Sequence, residues 1–227
     1  CRHLHACGFR VAATHLHADE AAAAFARETD LPVYEWDVSD PEACAQGIRT
    51  VENDLGPIDV LVNNAGRTLN IPAEEMTMEE WRDVMDLNLD AVFRITQRVG
   101  QEMIENGGGN IINVSSISAF MANHPQPQVS YNASKAGVEG FKFQLASEWA
   151  EHDIRVNNIN PGYVRTELLE EVIEQEPEMV EEWRREMLLE NMARPEDIGP
   201  LAVFLASEAS WYMTGESVVI DGGYLVR

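Results

Sequence analysis

Strand-like and helix-like stretches alternate along the whole of this 227-residue chain, and that alternation limits the folds open to it. Arg10–Thr14 reads as a short strand, and Asp19–Thr29 as an alanine-rich helix with acids at its start. Pro32–Val38 is strand-like. Asp40 follows as an N-cap, with Pro41 at the first helical position and Gly56 as the stop. Ile58–Asn64 is a continuous apolar run of strand length, as expected of a strand buried on both faces. Thr77 and Glu80 are spaced as a capping box at the head of one long helix that ends in the glycine run 107–109. "NIINVSS" is a strand, Ser130 to about His152 a helix, and "IRVNNINPG" a strand ending in a Pro-Gly turn. Residues 166–191 are strongly acidic and helical in pattern. "RPEDIGPLAVFLAS" is a helix opened by proline, and "ESVVIDGG" is a last strand. Strands and helices in this order make right-handed βαβ units. The expected fold is α/β, a single doubly wound parallel sheet in one domain over 1–227. In such a sheet ligands bind beyond the carboxyl ends of the strands, so polar residues there carry the information.

Composition narrows the function classes. The formal net charge is −23, and lysine occurs only at Lys135 and Lys142. That charge repels nucleic acid and anionic membranes. It is either an ordinary solvated acidic face or an adaptation to high salt, where the Debye length falls to about 3 Å. A gain in stability between low and molar salt marks the second; no gain marks the first. No apolar run reaches the length of a membrane span, and no signal-peptide pattern is visible. Cys1, Cys7 and Cys44 make no even disulfide framework, so a reducing, cytoplasmic compartment is expected.

Four strand ends hold the candidate chemistry. In "SYNASKAG", Tyr131 and Lys135 are four apart and share a helix face. Tyrosine titrates near pH 10, and a nearby ammonium favours the phenolate, so the pair is a sensible acid/base device. It is equally readable as a surface pair, although one of only two lysines falls at this spacing. Ser115 and Ser116 end the "NIINVSS" strand, where a hydroxyl can bond a substrate oxygen or merely shape a turn. Asn63, Asn64, Ala65 and Gly66 end another strand with small residues that let a flat ring approach, or simply with turn residues. Asp37 could accept from an exocyclic amine or begin the turn before Asp40. Thr166 is available to a phosphate or amide.

Taken together, "DV" at Asp37–Val38, "NNAG" at Asn63–Gly66, "NL" at Asn88–Leu89, "NVSS" ending at Ser116, "YNASK" at Tyr131–Lys135, "NPGYVRT" at Asn160–Thr166 and "DGG" at Asp221–Gly223 resemble the short-chain dehydrogenase/reductase family over the whole chain. The resemblance implies a Rossmann-type nicotinamide-cofactor enzyme that interconverts a ketone and a secondary alcohol. It implies Tyr131 as general acid/base, Lys135 as its pKa modulator and holder of the nicotinamide ribose, and Ser116 on the substrate carbonyl. Asn88 would hold a water. Asp37 and Val38 would contact adenine. Asn63, Ala65 and Gly66 would line the cofactor, and Pro161, Gly162, Val164 and Thr166 would contact its nicotinamide end. Residues 167–191 would form a substrate lid, and the chain would assemble as a homodimer or homotetramer.

Ser116 and Tyr131 are fifteen apart, two more than in many members, and Ser118 is the alternative at the shorter spacing. The insertion and the tail "VVIDGGYLV" are similar to polyol and sugar dehydrogenases. The first third is similar to acetoacetyl-CoA reductases, and the second half, which surrounds the substrate, is given more weight. Thr14–His15, where an acid would favour NAD, has none, which leans to NADP over NAD. No G-x-x-x-G-x-G precedes Arg10, so "CRHLHACGF" reads as the last turns of the helix after an absent first strand and glycine-rich loop, an N-terminal truncation. On that reading a catalytically silent fragment is a further alternative. A metal site at Cys1, His3, His5, Cys7, His15 and His17 fits zinc spacings poorly, and none is expected.

Overall fold

The structure is a computed structural model that describes residues 1–17, 20–189 and 191–227. Asp19, at the head of the expected second helix, and Glu190, near the end of the expected lid, lie outside the described residues. The elements run α1 (Arg2–Ala6), β1 (Ala13–His15), α2 (Glu20–Thr29), β2 (Val33–Glu35), α3 (Pro41–Leu55), β3 (Val60–Asn63), α4 (Met78–Met85) and α5 (Ala91–Asn106). They continue with β4 (Gly109–Val114), α6 (Val129–Trp149), β5 (Ile154–Pro161), α7 (Glu167–Gln175), α8 (Pro177–Glu186), α9 (Pro195–Ala206) and β6 (Ser217–Ile220).

All strand pairs are parallel. β3, β4, β5 and β6 form one sheet in that order, and β1 pairs with β2 separately. Among the described residues no ladder joins β1 to β3, so the expected single sheet comes in two parts. The break falls where the resemblance puts the strand it does not find in this sequence.

Strand alternation divides the core between the two faces of the four-stranded sheet. Ile111 and Val156 pack with Ile48 of α3, Val99 and Met103 of α5, and Leu145 of α6. Their neighbours Ile112 and Ile159 point the other way, onto Leu205 of α9. Each fully buried Ile or Val contributes roughly 1.5–3 kcal/mol. A third apolar cluster lies beyond the sheet, where Ile117, Trp183, Met187 and Tyr224 join the α8 segment to the C-terminal tail.

The capping signals hold. The Asp40 side chain accepts from the Glu42 and Ala43 amides at 2.8 and 3.1 Å, and Thr77 and Glu80 close a reciprocal capping box. Three expectations need correction. The β2 strand stops at Glu35, so Asp37 and Val38 sit in the following turn rather than in the strand. The long helix from Thr77 is interrupted by a π-helical turn at Asp86–Asp90, a geometry that hydrophobic periodicity does not reveal. Within the acidic stretch the expected helix is two, α7 and α8, because Pro177 cannot continue the first and instead opens the second, which ends at Glu186.

Candidate functional site

The carboxyl ends of β3, β4 and β5 and the buried face of α6 converge on one place. Ser116 leaves β4 with extended backbone (φ −168°, ψ 159°) and caps a short turn at Ile117–Ala119. Its hydroxyl lies close enough to the Tyr131 phenol to favour the phenolate form. It also lies 3.0 Å from the Ser118 hydroxyl and accepts from the Ser118 amide at 3.1 Å. Ser116, not Ser118, is therefore the serine that meets Tyr131. Ser115 turns away and donates to the Lys135 carbonyl at 3.2 Å.

The α6 helix carries Lys135 one turn beyond Tyr131, with the ammonium 5.6 Å from the phenol ring centre. That ammonium is buried and donates to the Val114 carbonyl at 2.8 Å. It retains two further donors toward the strand ends. Burial brings the Lys135 pKa down to about 8. The sequence alone led us to expect a phenol lowered by the ammonium. In the structure burial outweighs the influence of the Ser116 hydroxyl, and the Tyr131 phenol stands above an ordinary tyrosine.

The lowered Lys135 pKa makes folding pH-dependent. The unfolded chain holds this proton up to about 10.5 and the folded chain only to about 8, so stability rises with pH across that interval. At pH 7 the burial penalty is fully present, and it amounts to about 3 kcal/mol. Urea unfolding should therefore show a rise between pH 8 and pH 10 that Lys135→Met removes. An identical pH profile in wild type and variant would show that Lys135 is not the group responsible.

The π-helical turn aims Asn88 inward. Its amide donates to the Arg67 carbonyl at 2.8 Å and to Ser134 at 3.2 Å, and its oxygen accepts from the Arg67 amide at 2.9 Å. Asn88 thus holds the loop that carries Ala65 and Gly66, both exposed at the β3 end. A Cβ on Gly66 would lie 3.2 Å from the Asn88 oxygen and 3.6 Å from the Lys135 ammonium, so glycine keeps this loop against the site. Asn63 is different. Its side chain points into the sheet, donating to Thr96 at 2.9 Å and to Asn113 at 2.8 Å.

At the β5 end Pro161, Gly162 and Val164 are half-buried and Thr166 is exposed. A Cβ on Gly162 would come within 2.8 Å of the Asp221 backbone, so this glycine admits the "DGG" turn beside the site. Thr166 caps α7 by accepting from the Leu169 amide at 3.3 Å. Asp37 lies apart, and one of its oxygens accepts from the Ser39 amide and hydroxyl at 2.8 and 2.7 Å. Those bonds hold its carboxyl below the usual aspartate range. Val38 is half-buried beside it, its carbonyl accepting from the Cys44 thiol.

Sequence reasoning missed a buried polar layer next to this site. Asn63, Asn113, Asn158 and Ser217 stand in register across β3, β4, β5 and β6. Asn113 passes the chain on by donating to Asn158 at 2.9 Å. Glu139 and Lys142 of α6 lie over the same strands, 3.2 Å apart, with side chains 8 % and 0 % exposed. Lys142 donates to the Ser217 hydroxyl and Ser217 to Glu139, each at 2.5 Å. Asn160 donates to Glu139 at 2.6 Å. Burial pushes the Glu139 carboxyl up, but the bonds from Ser217 and Asn160 and the Lys142 charge prevail, leaving it below an ordinary glutamate.

A family model described as enoyl-(acyl carrier protein) reductase, a short-chain dehydrogenase group, matches residues 1–225. The chain is 41% identical to an acetoacetyl-CoA reductase of Rhizobium meliloti, an alignment covering 98% of this chain and 91% of that protein. It is 39% identical to a galactitol 2-dehydrogenase of Rhizobium johnstonii, covering 91% of this chain and 80% of that one. Among solved structures, a gluconate 5-dehydrogenase from Burkholderia cenocepacia in complex with NADP and tartrate superposes with a TM-score of 0.90. That pair is 28% identical and the match covers 100% of this chain and 89% of the other. The chain belongs to the short-chain dehydrogenase/reductase family, a class of oxidoreductases that act on CH–OH groups.

Proposed function

We propose that this protein interconverts a ketone and a secondary alcohol of polyol or sugar type, with NADP as the cofactor and NAD as the alternative. The observation that carries the reading is the meeting of Ser116, Tyr131 and Lys135 at the β4 end, with the serine hydroxyl beside the phenol and the ammonium 5.6 Å from its ring centre. The residues present suit the nicotinamide half of such a cofactor. The Lys135 ammonium has donors left for ribose hydroxyls, and Gly66 and Gly162 keep the walls close. The bound cofactor supplies the hydride chemistry.

This chain's residues do the rest. The Tyr131 phenol gives a proton to the substrate oxygen or takes one from it, and the Ser116 hydroxyl donates to that oxygen. Lys135 steadies the ribose and favours the phenolate. Asn88, already fixed by Arg67 and Ser134, has only its oxygen's second lone pair left for a relay water. Ala65 and Gly66 line the cofactor, with Asn63 contributing through its backbone. Asp37 and Val38 face the adenine, Asp37 through its second oxygen. Pro161, Gly162, Val164 and Thr166 face the nicotinamide end. The lean to NADP rests on Thr14–His15 and on the NADP held by the gluconate 5-dehydrogenase.

Residues 1–227 act as one domain, with 167–191 as the lid over the substrate. The lid helices α7 and α8 carry eight glutamates against two arginines, a field that disfavours a polyanionic coenzyme A thioester. Arg165 at the mouth is already paired with Glu170 at 2.8 Å. The identity to acetoacetyl-CoA reductases supports the second reading, reduction of a 3-oxoacyl thioester. No helix among the described residues is long and apolar enough to cross a membrane. A cytoplasmic homodimer or homotetramer acting on a small molecule fits the reading.

A panel of galactitol, arabinitol and gluconate with NADP or NAD, beside acetoacetyl-CoA with NADPH, tests the substrate. We expect turnover of a polyol or sugar acid with NADP. Turnover of acetoacetyl-CoA alone would reverse the order, and no cofactor binding on titration would leave a silent domain.

A further inference from the structure

Tyr131, Lys135, Glu139 and Lys142 fall at intervals of four, four and three along α6, so they form one stripe on the buried face of that helix. The first two belong to the candidate site. The last two, one to two turns deeper, are a buried ion pair. Between the pair and the site stands Asn160, fully buried near the end of β5. Its amide nitrogen donates in two directions, to Glu139 at 2.6 Å and to the Ser116 carbonyl at 3.1 Å. The same carbonyl accepts from the Ala119 amide at 3.1 Å, so both its lone pairs are used. The peptide that carries the Ser116 hydroxyl is thereby tied to α6 by one side chain and to its own turn by another bond.

We propose that Glu139 and Asn160 are positioning residues. The Glu139 carboxylate, locked by Lys142 and Ser217, orients the Asn160 amide, which holds the Ser116 peptide at a fixed distance from Tyr131 on the same helix. A free Asn160 side chain could rotate and release the turn at 116–119. A carboxylate anchored on α6 prevents that rotation, because the serine and the tyrosine are then referenced to one rigid element. Lys142 supplies the charge that lets Glu139 stay ionised inside the protein. The proposal rests on the reading of Ser116 as the hydroxyl that faces the substrate, and its test is separable from that reading.

The test is amide hydrogen exchange on the full chain, with steady-state kinetics in parallel. Asn160→Ala should speed exchange of the Ser118 and Ala119 amides about tenfold or more, with the β3 amides unchanged. It should lower kcat about 10–100-fold while KM stays within about twofold, as expected when reacting groups are misplaced and binding is intact. The double variant Glu139→Gln/Lys142→Met keeps an acceptor for Asn160 without the charges, and should exchange and turn over like wild type. Unchanged exchange at 118–119 in Asn160→Ala, or equal loosening across the whole sheet, would overturn the proposal. So would a loosened turn in the double variant. If wild type turns over no member of the substrate panel, the activity reading fails, and the exchange data alone decide the positioning role.

Discussion

Replacing Tyr131 with Phe is expected to lower kcat/KM by about 10²–10⁴-fold, the usual worth of a positioned proton donor or acceptor. The loss falls on kcat, because the phenol oxygen matters in the transition state and little in binding. Cofactor titration should be unchanged, since Lys135 and the strand-end glycines remain. The melting temperature should stay near wild type, because Phe keeps the ring and the phenol oxygen donates no structural bond among the described residues. The raised phenol pKa adds a direction to the pH profile. At neutral pH Tyr131 holds its proton, ready to donate to a ketone. Alcohol oxidation needs the phenolate, so its rate should climb from pH 7 to pH 10, while ketone reduction, which uses the protonated phenol, should stay nearly flat over that range. Turnover in Tyr131→Phe within about tenfold of wild type would remove Tyr131 from the chemistry. Ser116→Ala should cost more than Ser118→Ala, because Ser116 is the serine whose hydroxyl acts on the phenol.

The candidate constellation of Ser116, Tyr131 and Lys135 was legible in the sequence for a physical reason. A four-residue spacing on a helix and a hydroxyl at a strand's carboxyl end are local patterns, and the doubly wound sheet brings strand ends together without further information. Helix ends were legible as well, since Asp40, Pro41 and the Thr77–Glu80 box act within one turn of chain. The π-helical turn at Asn88 was not legible. Its signal is not periodicity but the need to bury a polar side chain against Arg67 and Ser134, 21 residues before it and 46 after. The polar layer was hidden for a similar reason. Asn113, Asn158 and Ser217 each look like an interruption in an apolar strand, and only strand register shows that they stand side by side. One clue was available. Helix α6 has charged residues at positions 135, 139 and 142, on the face that should be apolar if it packs on the sheet.

That second lysine supports the other large effect. Lys142→Met strands the Glu139 carboxylate inside the protein and should destabilise the fold by about 3–5 kcal/mol at pH 7. In a chain of this size that is a fall in Tm of about 6–20 °C. The cost comes from the partner left behind and not from the worth of the bridge itself, so removing both charges should recover most of it. Glu139→Gln/Lys142→Met is expected within about 1 kcal/mol of wild type, because the Gln side chain still accepts from Asn160 and the Met fills the lysine's apolar path. Acid separates this account from a packing defect. In wild type the Glu139 carboxyl lies below its ordinary range, so its contribution is present at neutral pH and lost as pH falls through that lowered value. In Lys142→Met the same carboxyl has lost its cation, which raises it relative to wild type. The folded variant then binds the proton more readily than the folded wild type, so the variant's deficit should shrink between pH 7 and pH 5. Urea unfolding at the two pH values measures this directly. A deficit that is constant with pH, or a double variant as unstable as Lys142→Met, would place the damage in lost packing around the lysine chain rather than in an uncompensated charge.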